Sequence, residues 1–217
     1  MRKLQVKIFL PKAWIQDRKR DYYYKKAKAE NYRSRAAYKL AEAAKKYGFI
    51  PRSAVIVDLG AAPGGWIQAA RKIAGNRCFI LAVDLKPIAP FPQEYVRTLV
   101  GDMTDPAIVD QILAFLPRKA DVVLSDASPN ISGVWEVDHA RQIDLANQAL
   151  QVAVKVLRPY GNFFVKVFEG DLLAAFIQKV KESFQQVKVV KPKASRAQSS
   201  EMFILALSLK PTSARVE

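Results

Sequence analysis

From residue 53 onward, short apolar runs alternate with longer segments in which helix-forming residues dominate. The apolar runs are nearly continuous and rich in β-branched residues, a pattern typical of strands buried on both faces. They predict strands near residues 54–58, 78–83, 96–100, 121–125 and 161–167. The segments between them predict helices near residues 64–73, 105–115, 138–157 and 171–183. This alternation predicts an α/β fold in which helices cover both faces of a mostly parallel, doubly wound sheet.

The two ends of the chain depart from this alternation. Residues 187–190 and 201–209 are both strand-like, and the loop between them is too short for a crossover helix. They predict an antiparallel hairpin at the C-terminal edge of the sheet. Near the other end, residues 32–48 are rich in helix formers and stop at Gly48, which suits the left-handed position after a helix. Lys39 lies away from the centre of the apolar face of that helix, so a solvated surface lysine is one interpretation of it.

Length and composition fit one folded domain with a segment on either side. Residues 1–32 predict a basic, aromatic-containing arm, residues 33–210 the domain, and residues 211–217 a tail. No apolar stretch approaches the roughly 20 residues that cross a bilayer. The N-terminus lacks the long apolar core of a secretory signal, and Cys78 is the only cysteine, which excludes an internal disulfide. The simplest interpretation is a cytoplasmic protein that does not span a membrane.

The charge of the chain is strongly one-sided. Its formal net charge is +15 and its isoelectric point is near 9.9, which favours a polyanionic partner such as nucleic acid or an anionic membrane surface. Residues 1–35 carry twelve Lys or Arg against three carboxylates, a net +9. Trp14 and three tyrosines at residues 22–24 lie among these charges, the mixture that serves phosphate contact and base stacking. Two interpretations stay open for this segment: an RNA-binding arm, or a solvated basic tail.

The stretch at residues 55–66 predicts a strand, a tight turn and the start of a helix. Glycine in such a turn lets the backbone approach a ligand, and the helix N-terminus offers unpaired N–H groups. The turn is similar to a dinucleotide-binding fingerprint, but Ala62 stands where that fingerprint has the glycine that admits a pyrophosphate. A ligand without pyrophosphate fits better, and S-adenosylmethionine is one. An ordinary turn that holds no ligand is the alternative.

Carboxylates at the next strand ends favour the cofactor. Asp84 ends the second predicted strand, 24 residues after Gly60, where an acid can accept both hydroxyls of an adenosine ribose. Asp102 follows the third strand and could accept from the adenine amino group, with Met103 packed on the ring. Either acid alone could be a turn residue. Three successive strand ends that carry Gly60, Asp84 and Asp102 predict an S-adenosylmethionine site.

Two further residues point to chemistry at the same edge. Asp126 follows the fourth strand and should border the crevice that Gly60 and Asp84 form, although it could instead cap a turn. Lys166 interrupts a strand that is otherwise hydrophobic, where a lysine is costly unless it pairs with a carboxylate. A structural ion pair is the alternative for Lys166. His139 is the only histidine, and we expect a surface or capping role for it. No Cys/His cluster has metal-ligand spacing, so no metal is predicted.

Five motifs in one order give the chain a family resemblance. They are SRAAYKL at 34–40, DLGAAPGGW at 58–66, SDASPNISG at 125–133, VKVFEG at 165–170 and KPKASRAQSSE at 191–201. Together they resemble the FtsJ/RrmJ family of RNA ribose 2′-O-methyltransferases over roughly residues 33–209. The resemblance implies a single-domain, Rossmann-like methyltransferase that uses S-adenosylmethionine. It also implies a catalytic tetrad, which by motif position is Lys39, Asp126, Lys166 and Glu201.

The expected cofactor contacts follow from the same motifs and strand ends. They are Gly60, Ala61, Pro63, Gly64, Gly65, Trp66, Asp84, Leu85, Asp102, Met103 and Asp126. In the tetrad we expect Lys166 to accept or stabilise the proton of the ribose 2′-hydroxyl, which is a poor nucleophile at neutral pH. Asp126 would orient Lys166 and the methyl group, while Lys39 and Glu201 would position the ribose and tune Lys166.

The resemblance also suggests a substrate. It implies a uridine of large-subunit, 23S-type ribosomal RNA in the large ribosomal subunit, modified by a monomeric enzyme without membrane contact. A ribose of the tRNA anticodon loop is an alternative within the family. A noncatalytic RNA-binding assembly factor is an alternative of another class, although all four tetrad residues are present. Ala62 and the lack of a second substrate domain disfavour a nicotinamide dehydrogenase.

Overall fold

The computed structural model describes residues 21–196 and 198–211. Their strands are β1 (Val55–Leu59), β2 (Phe79–Asp84), β3 (Val96–Val100), β4 (Ala120–Ser125), β5 (Leu157–Phe168), β6 (Phe184–Val190) and β7 (Glu201–Leu209). Their helices are α1 (Tyr22–Ala29), α2 (Ala37–Tyr47), α3 (Gly65–Ala74), α4 (Ile108–Phe115), α5 (Trp135–Val156) and α6 (Leu173–Ser183). None of these helices is long and apolar enough to cross a bilayer.

All seven strands form one sheet in the order β3-β2-β1-β4-β5-β7-β6. The first five strands pair in parallel, and β7 is antiparallel to both β5 and β6. This confirms the predicted α/β fold, its mostly parallel sheet and the antiparallel hairpin at the C-terminal edge. Within the hairpin, β7 lies inside the sheet against β5, which leaves β6 as the edge strand.

Side chains that alternate along the strands supply two hydrophobic layers. In β1, Val57 belongs to the layer that packs under α4, α5 and α6. Its neighbour Ile56 belongs to the other layer, which packs under α2 and α3. Because successive strand residues point to opposite faces, a strand without polar alternation is buried on both sides. The helices therefore cover both faces, as a doubly wound sheet requires.

The observed strand and helix limits differ most from the predicted ones around β5. That strand begins at Leu157 instead of near residue 161, and its pairing with β4 shifts register between Ala120 and Val122. The segment includes Pro159 and Gly161. Because these residues are typical of turns, the sequence pattern does not predict a strand there. A bulge absorbs these residues, and the strand then runs without interruption to Phe168.

The described part of the N-terminal arm, from residue 21, is docked on the domain. Asp21 caps α1 by accepting a hydrogen bond from the backbone N–H of Tyr24 at 3.1 Å, and its carboxylate also pairs with Arg35. The ring of Tyr23 lies 5.5 Å from that of Tyr38 in α2, and Ala27 is buried. The described part of the arm thus includes the helix α1. Its first 20 residues lie outside the described part of the chain.

Candidate active site

Lys39 and Glu201 form a close ion pair at one end of the sheet. The ammonium of Lys39 lies 2.6 Å from Oε1 and 2.7 Å from Oε2 of Glu201. Both side chains are only 12 % exposed. Lys39 is therefore not the solvated surface lysine of the alternative interpretation, because its side chain reaches from the first turn of α2 to a carboxylate on β7. The Ser195 hydroxyl donates a further hydrogen bond to Glu201 at 2.8 Å.

Lys166 and Asp126 form a second pair beside the first. The Lys166 ammonium donates to the backbone carbonyl of Asp126 at 2.8 Å and lies 3.4 Å from its carboxylate oxygen Oδ1. Lys166 is 6 % exposed, so this buried cation is compensated as the sequence required. The side-chain amide of Gln142 donates to the carbonyls of both Ala127 and Lys166, at 3.2 and 3.1 Å. Gln142 thereby ties the end of β5 to the loop after β4.

The topology of the sheet brings the two pairs together. Because β7 runs antiparallel to β5, its first residue, Glu201, lies opposite Phe168 near the carboxyl end of β5. Lys166 lies two residues earlier on the same face and opposite Phe203. Although burial alone would raise the pKa of the Glu201 carboxyl, the ammonium groups of Lys39 and Lys166 and the Ser195 hydroxyl hold it below its ordinary value. The four predicted tetrad residues thus form one electrostatically coupled cluster.

A cleft of about 320 Å³ opens at the carboxyl ends of β1, β2 and β4. Six of the predicted cofactor residues line it: Gly60, Asp84, Leu85, Asp102, Met103 and Asp126. Asp126 therefore belongs to both places, since it borders the cleft and contacts Lys166. A molecule in the cleft would therefore lie next to Asp126, the residue that contacts Lys166.

The turn after β1 shapes one wall of this cleft. Gly60 has φ +72°, and a Cβ built on it would lie 2.7 Å from the Cα of Ala127. Only glycine fits such an approach in this backbone conformation. Asp84 fixes the turn from the opposite side, since its carboxylate accepts from the backbone N–H groups of Ala62 and Lys86, both at 2.8 Å. The carboxylate is thus oriented before a ligand arrives.

The other five predicted cofactor residues do not line the cleft. They are Ala61, Pro63, Gly64, Gly65 and Trp66. Trp66 is 3 % exposed, its indole N–H donates to the carbonyl of Ala36 at 2.8 Å, and its ring stacks on Phe164. A Cβ on Gly65 would lie 2.1 Å from the hydroxyl oxygen of Ser34. These residues pack the first turn of α3 against the segment before α2, next to the cleft.

Asp58 is a site residue that the motif analysis did not single out. It is the fourth residue of β1 and only 1 % exposed. Among the described residues, neither of its carboxylate oxygens has a hydrogen-bond partner. Burial, together with the charges of Asp126 and Asp84, raises its pKa well above the ordinary value. An acid inside a run of β-branched residues was the available signal, of the same kind as Lys166 in β5.

His139 lies in the first turns of α5 and is buried, so the expected surface position is wrong. Its Nε2 accepts from the backbone N–H of Leu172 at 3.1 Å, just before α6, which agrees with the capping alternative. The backbone of Gly170 packs on the imidazole, where a Cβ would lie 2.7 Å from the ring. Within residues 21–196 and 198–211 there is no group of His, Cys, Asp or Glu side chains that could hold a metal ion.

The donor set of the cleft fits S-adenosylmethionine. Asp84 and Asp126 line the cleft with carboxyl groups, which suits a ligand that carries a sulfonium and an ammonium. Asp102 already accepts from the Thr104 backbone N–H and hydroxyl, both at 2.8 Å, so its carboxylate is held in place at the outer end. Met103 offers an apolar surface beside it. The lysines beyond Asp126 can hold an oxygen nucleophile.

Comparison with known proteins shows the family to which the chain belongs. The family model described as FtsJ-like methyltransferase matches residues 32–209. A protein of Methanococcus maripaludis named ribosomal RNA large subunit methyltransferase E is 50 % identical over 194 residues, which cover 89 % of this chain and 75 % of the relative. A protein of the same name from Methanocaldococcus jannaschii is 46 % identical over 198 residues, 90 % of this chain and 81 % of the relative.

The fold has neighbours among solved structures. A crystal structure titled as a ribosomal RNA methyltransferase of Plasmodium falciparum superimposes with a TM-score of 0.74 at 27 % identity, over 82 % of this chain and 98 % of that one. A fibrillarin/Nop5p complex has a TM-score of 0.52 at 16 % identity, over 72 % and 73 % of the two chains. At that identity the second likeness concerns the fold alone.

Proposed function

Since the chain belongs to the FtsJ-like methyltransferase family, we propose that it transfers a methyl group from S-adenosylmethionine to a ribose 2′-hydroxyl of RNA. The acceptor is a uridine of large-subunit ribosomal RNA. The names of the Methanococcus and Methanocaldococcus relatives support the large subunit as the source of the substrate. The motifs that resemble ribose 2′-O-methyltransferases support the hydroxyl as the acceptor.

One observation carries the proposal: Asp126 lines the cofactor cleft and also contacts the ammonium of Lys166. Methyl transfer requires the nucleophile to approach in line and at short range. Because Asp126 faces both the cleft and Lys166, the methyl donor and the ribose hydroxyl would lie on either side of its carboxylate.

The cleft residues hold the cofactor, which supplies an activated methyl group on a sulfonium. Asp84 accepts hydrogen bonds from the adenosine ribose with the oxygen lone pairs that Ala62 and Lys86 leave available. Asp102 accepts from the adenine amino group and Met103 packs on the ring. Gly60 provides backbone at the methionine end, where Asp126 offsets positive charge.

The tetrad prepares the hydroxyl. Lys166 hydrogen-bonds the attacking 2′-oxygen. In its neutral amine form it accepts the hydroxyl proton as the oxygen bonds to the methyl group, and Asp126 stabilises and directs the ammonium that results. Lys39 and Glu201 lie on the acceptor side and position the ribose. Glu201 also offsets part of the repulsion between the two lysines, since it interacts with both. Each of these side chains is buried and paired, so little reorganisation is needed when RNA binds.

The remaining parts of the proposal concern the cellular context. We place the activity in the cytoplasm, and we take the enzyme to act as a monomer. The basic residues 1–32 add contacts to RNA phosphates beyond the domain at 33–210. The segment 211–217 is a tail without a role in the reaction.

The proposal is tested by incubating the protein with S-adenosylmethionine labelled in the methyl group and one of three acceptors. These are unmodified large-subunit ribosomal RNA, assembled large subunits and unmodified tRNA. The RNA is digested to nucleosides, and the label is assigned by mass and by fragmentation of the glycosidic bond, which shows whether ribose or base carries the methyl group. We expect 2′-O-methyluridine from a large-subunit acceptor. Label only in tRNA would move the substrate to the anticodon loop, and tight cofactor binding without transfer to any RNA would identify an assembly factor.

A further inference from the structure

An exposed aromatic ring lies at the rim of the acceptor site. Trp135, the first residue of α5, is 44 % exposed. Its ring is nearly parallel to the ring of Phe168, with an interplanar angle of 25° and centroids 6.0 Å apart. It is also nearly parallel to the His139 imidazole, at 18° and 5.8 Å. The three rings thus form a stack whose outer face, on Trp135, is open to a further ring.

The position of the ring connects it with the tetrad. Phe168 lies directly opposite Glu201 in the β5–β7 ladder, and such partners have Cβ atoms about 5 Å apart. Phe168 is also two residues from Lys166 on the same face of the sheet, a distance of about 7 Å along the strand. Trp135 therefore packs on Phe168, and Phe168 lies beside Glu201 and Lys166, which border the proposed place of the acceptor ribose. In RNA, the base is attached to the carbon next to the one that bears the 2′-hydroxyl.

The ring is held in a fixed place before any ligand arrives. The carboxylate of Asp138 accepts from the backbone N–H of Ser132 at 2.8 Å, from its hydroxyl at 2.7 Å and from the backbone N–H of Gly133 at 3.0 Å. These bonds fix the loop that leads into Trp135. His139, buried under the indole, is itself held by Leu172. A preformed surface loses little conformational freedom when it binds, which favours affinity.

The charges around the ring select the part of RNA that can contact it. Three exposed carboxylates are close in sequence to the stacked rings: Glu136 follows Trp135, and Glu169 and Asp171 follow Phe168. Carboxylates repel phosphates, so the RNA backbone is disfavoured at this place. A nucleobase is neutral and stacks on aromatic rings. The combination of an exposed indole and an acidic rim thus fits a base whose phosphates point away, towards the basic parts of the chain.

We propose that the indole of Trp135, backed by Phe168 and His139, stacks on a nucleobase of the RNA at or next to the modified nucleotide. This inference rests on the proposed function, because it takes the acceptor to be an RNA ribose at Lys166. It assigns Trp135 a positioning role: the stacked base fixes the sugar that the tetrad addresses. It also explains why His139 and Gly170 are packed so closely behind the ring.

The test compares four variants in single-turnover methyl transfer to unmodified large-subunit ribosomal RNA. Trp135→Ala and Trp135→Leu remove the aromatic face, and Trp135→Phe keeps one. Tyr95→Ala is the matched control, since Tyr95 is 51 % exposed but lies before β3, at the opposite ends of the strands from the cleft. We expect the RNA concentration at half-maximal rate to rise roughly five- to 150-fold for the alanine and leucine variants. The phenylalanine variant and the control should stay within about threefold of the wild type.

Several outcomes would overturn the inference. If Trp135→Leu needs no more RNA for its half-maximal rate than Trp135→Phe, apolar packing suffices and stacking is not involved. If Trp135→Ala behaves like the wild type, the ring has no part in the reaction. Loss of cofactor affinity in all three Trp135 variants, measured by titration calorimetry, would make the ring a support of the fold. An effect on assembled subunits but not on free RNA would indicate a ribosomal protein as the partner. A wild type that methylates no RNA would instead contradict the proposed function.

Fluorescence gives a second readout that does not need turnover. The chain has three tryptophans, at positions 14, 66 and 135, and stacking on a base quenches indole emission. Both proteins compared carry Trp14→Phe, because the basic arm is also expected to contact RNA. Addition of the same unmodified RNA should quench the emission of the protein that retains Trp135, and the protein with Trp135→Phe as well should lose most of that quenching. Equal quenching in both proteins would place the stacked ring elsewhere and would contradict the proposal.

Discussion

Lys39 and Glu201 are 162 residues apart in the sequence, yet the ammonium of Lys39 contacts both oxygens of the Glu201 carboxylate. The pair fastens α2 to the start of β7 and closes the acceptor side of the site. Because both side chains are largely buried, the pair is shielded from the solvent that weakens surface ion pairs. Its contribution should therefore be measurable in both stability and catalysis.

Glu201→Gln should make the stability of the protein less dependent on pH. The pKa of Glu201 lies below its ordinary value when folded, so the ionised carboxylate stabilises the fold fully above about pH 4.3, the unfolded value. That stability is lost as the pH falls through the folded pKa. We expect the variant to lose about 1–3 kcal/mol of the free energy of unfolding at pH 7. Denaturant unfolding at a series of pH values should show the wild type and variant converging below about pH 4.

Glu94→Gln is the control for this experiment, because Glu94 is exposed and lies before β3. It should leave the unfolding curves almost unchanged at every pH. If the variant's loss in free energy of unfolding stays constant down to acid pH, the loss comes from altered packing at residue 201 and not from the missing charge.

Asp84→Ala should weaken cofactor binding by roughly 10- to 100-fold, the effect of removing a charged hydrogen-bond acceptor. The carboxylate faces the cleft and also orders the turn through Ala62 and Lys86. Titration calorimetry with S-adenosylmethionine measures the change. Asp105→Ala is the control, since Asp105 is an exposed aspartate that accepts from the Ala107 backbone N–H but does not line the cleft. Equal affinities for Asp84→Ala and the wild type would refute the ribose contact.

Removal of residues 1–20 should reduce RNA affinity and its dependence on salt. This segment holds seven Lys or Arg and one Asp, and it lies outside the described residues. The truncation keeps α1, which packs on the domain through Tyr23 and Ala27. For each RNA phosphate that the shortened protein no longer neutralises, the slope of log affinity against log salt should fall by about 0.7–0.9. Filter binding at several salt concentrations checks this, and an unaltered slope would make the segment a solvated tail.

The strand, turn and helix at residues 55–66 could be predicted to within about a residue because the signals are local. A β-branched run, a glycine with positive φ and a helix start all lie within a dozen positions. The environment of Lys39 could not be found in this way. Its place on the polar side of α2 indicated solvent, and only the pairing of β7 with β5 brings Glu201 over that side. Contacts between distant segments depend on topology, which periodicity does not encode.

The roles of several buried residues could not be predicted from the sequence for the same reason. Trp66 belongs to the glycine-rich motif, and the structure uses its ring to pack α3 on Phe164. A motif specifies packing as well as ligand contact, and the sequence does not separate the two. Asp58 and His139 are both buried, although acids and histidines more often lie at the surface. Each required knowledge of what surrounds the side chain in three dimensions.

Loss of transfer in Lys166→Ala tests the central claim most directly. The variant and the wild type are incubated with labelled S-adenosylmethionine and unmodified large-subunit ribosomal RNA, and the RNA is then hydrolysed with alkali, which cannot cleave beside a methylated 2′-oxygen. Lys45→Ala controls for the loss of one positive charge, because Lys45 is exposed on α2. We expect label in one alkali-stable dinucleotide for the wild type and the control, and at least about 100-fold less for Lys166→Ala at unchanged cofactor affinity. Near-normal label with Lys166→Ala, or wild-type label that alkali releases as mononucleotides, would contradict the account.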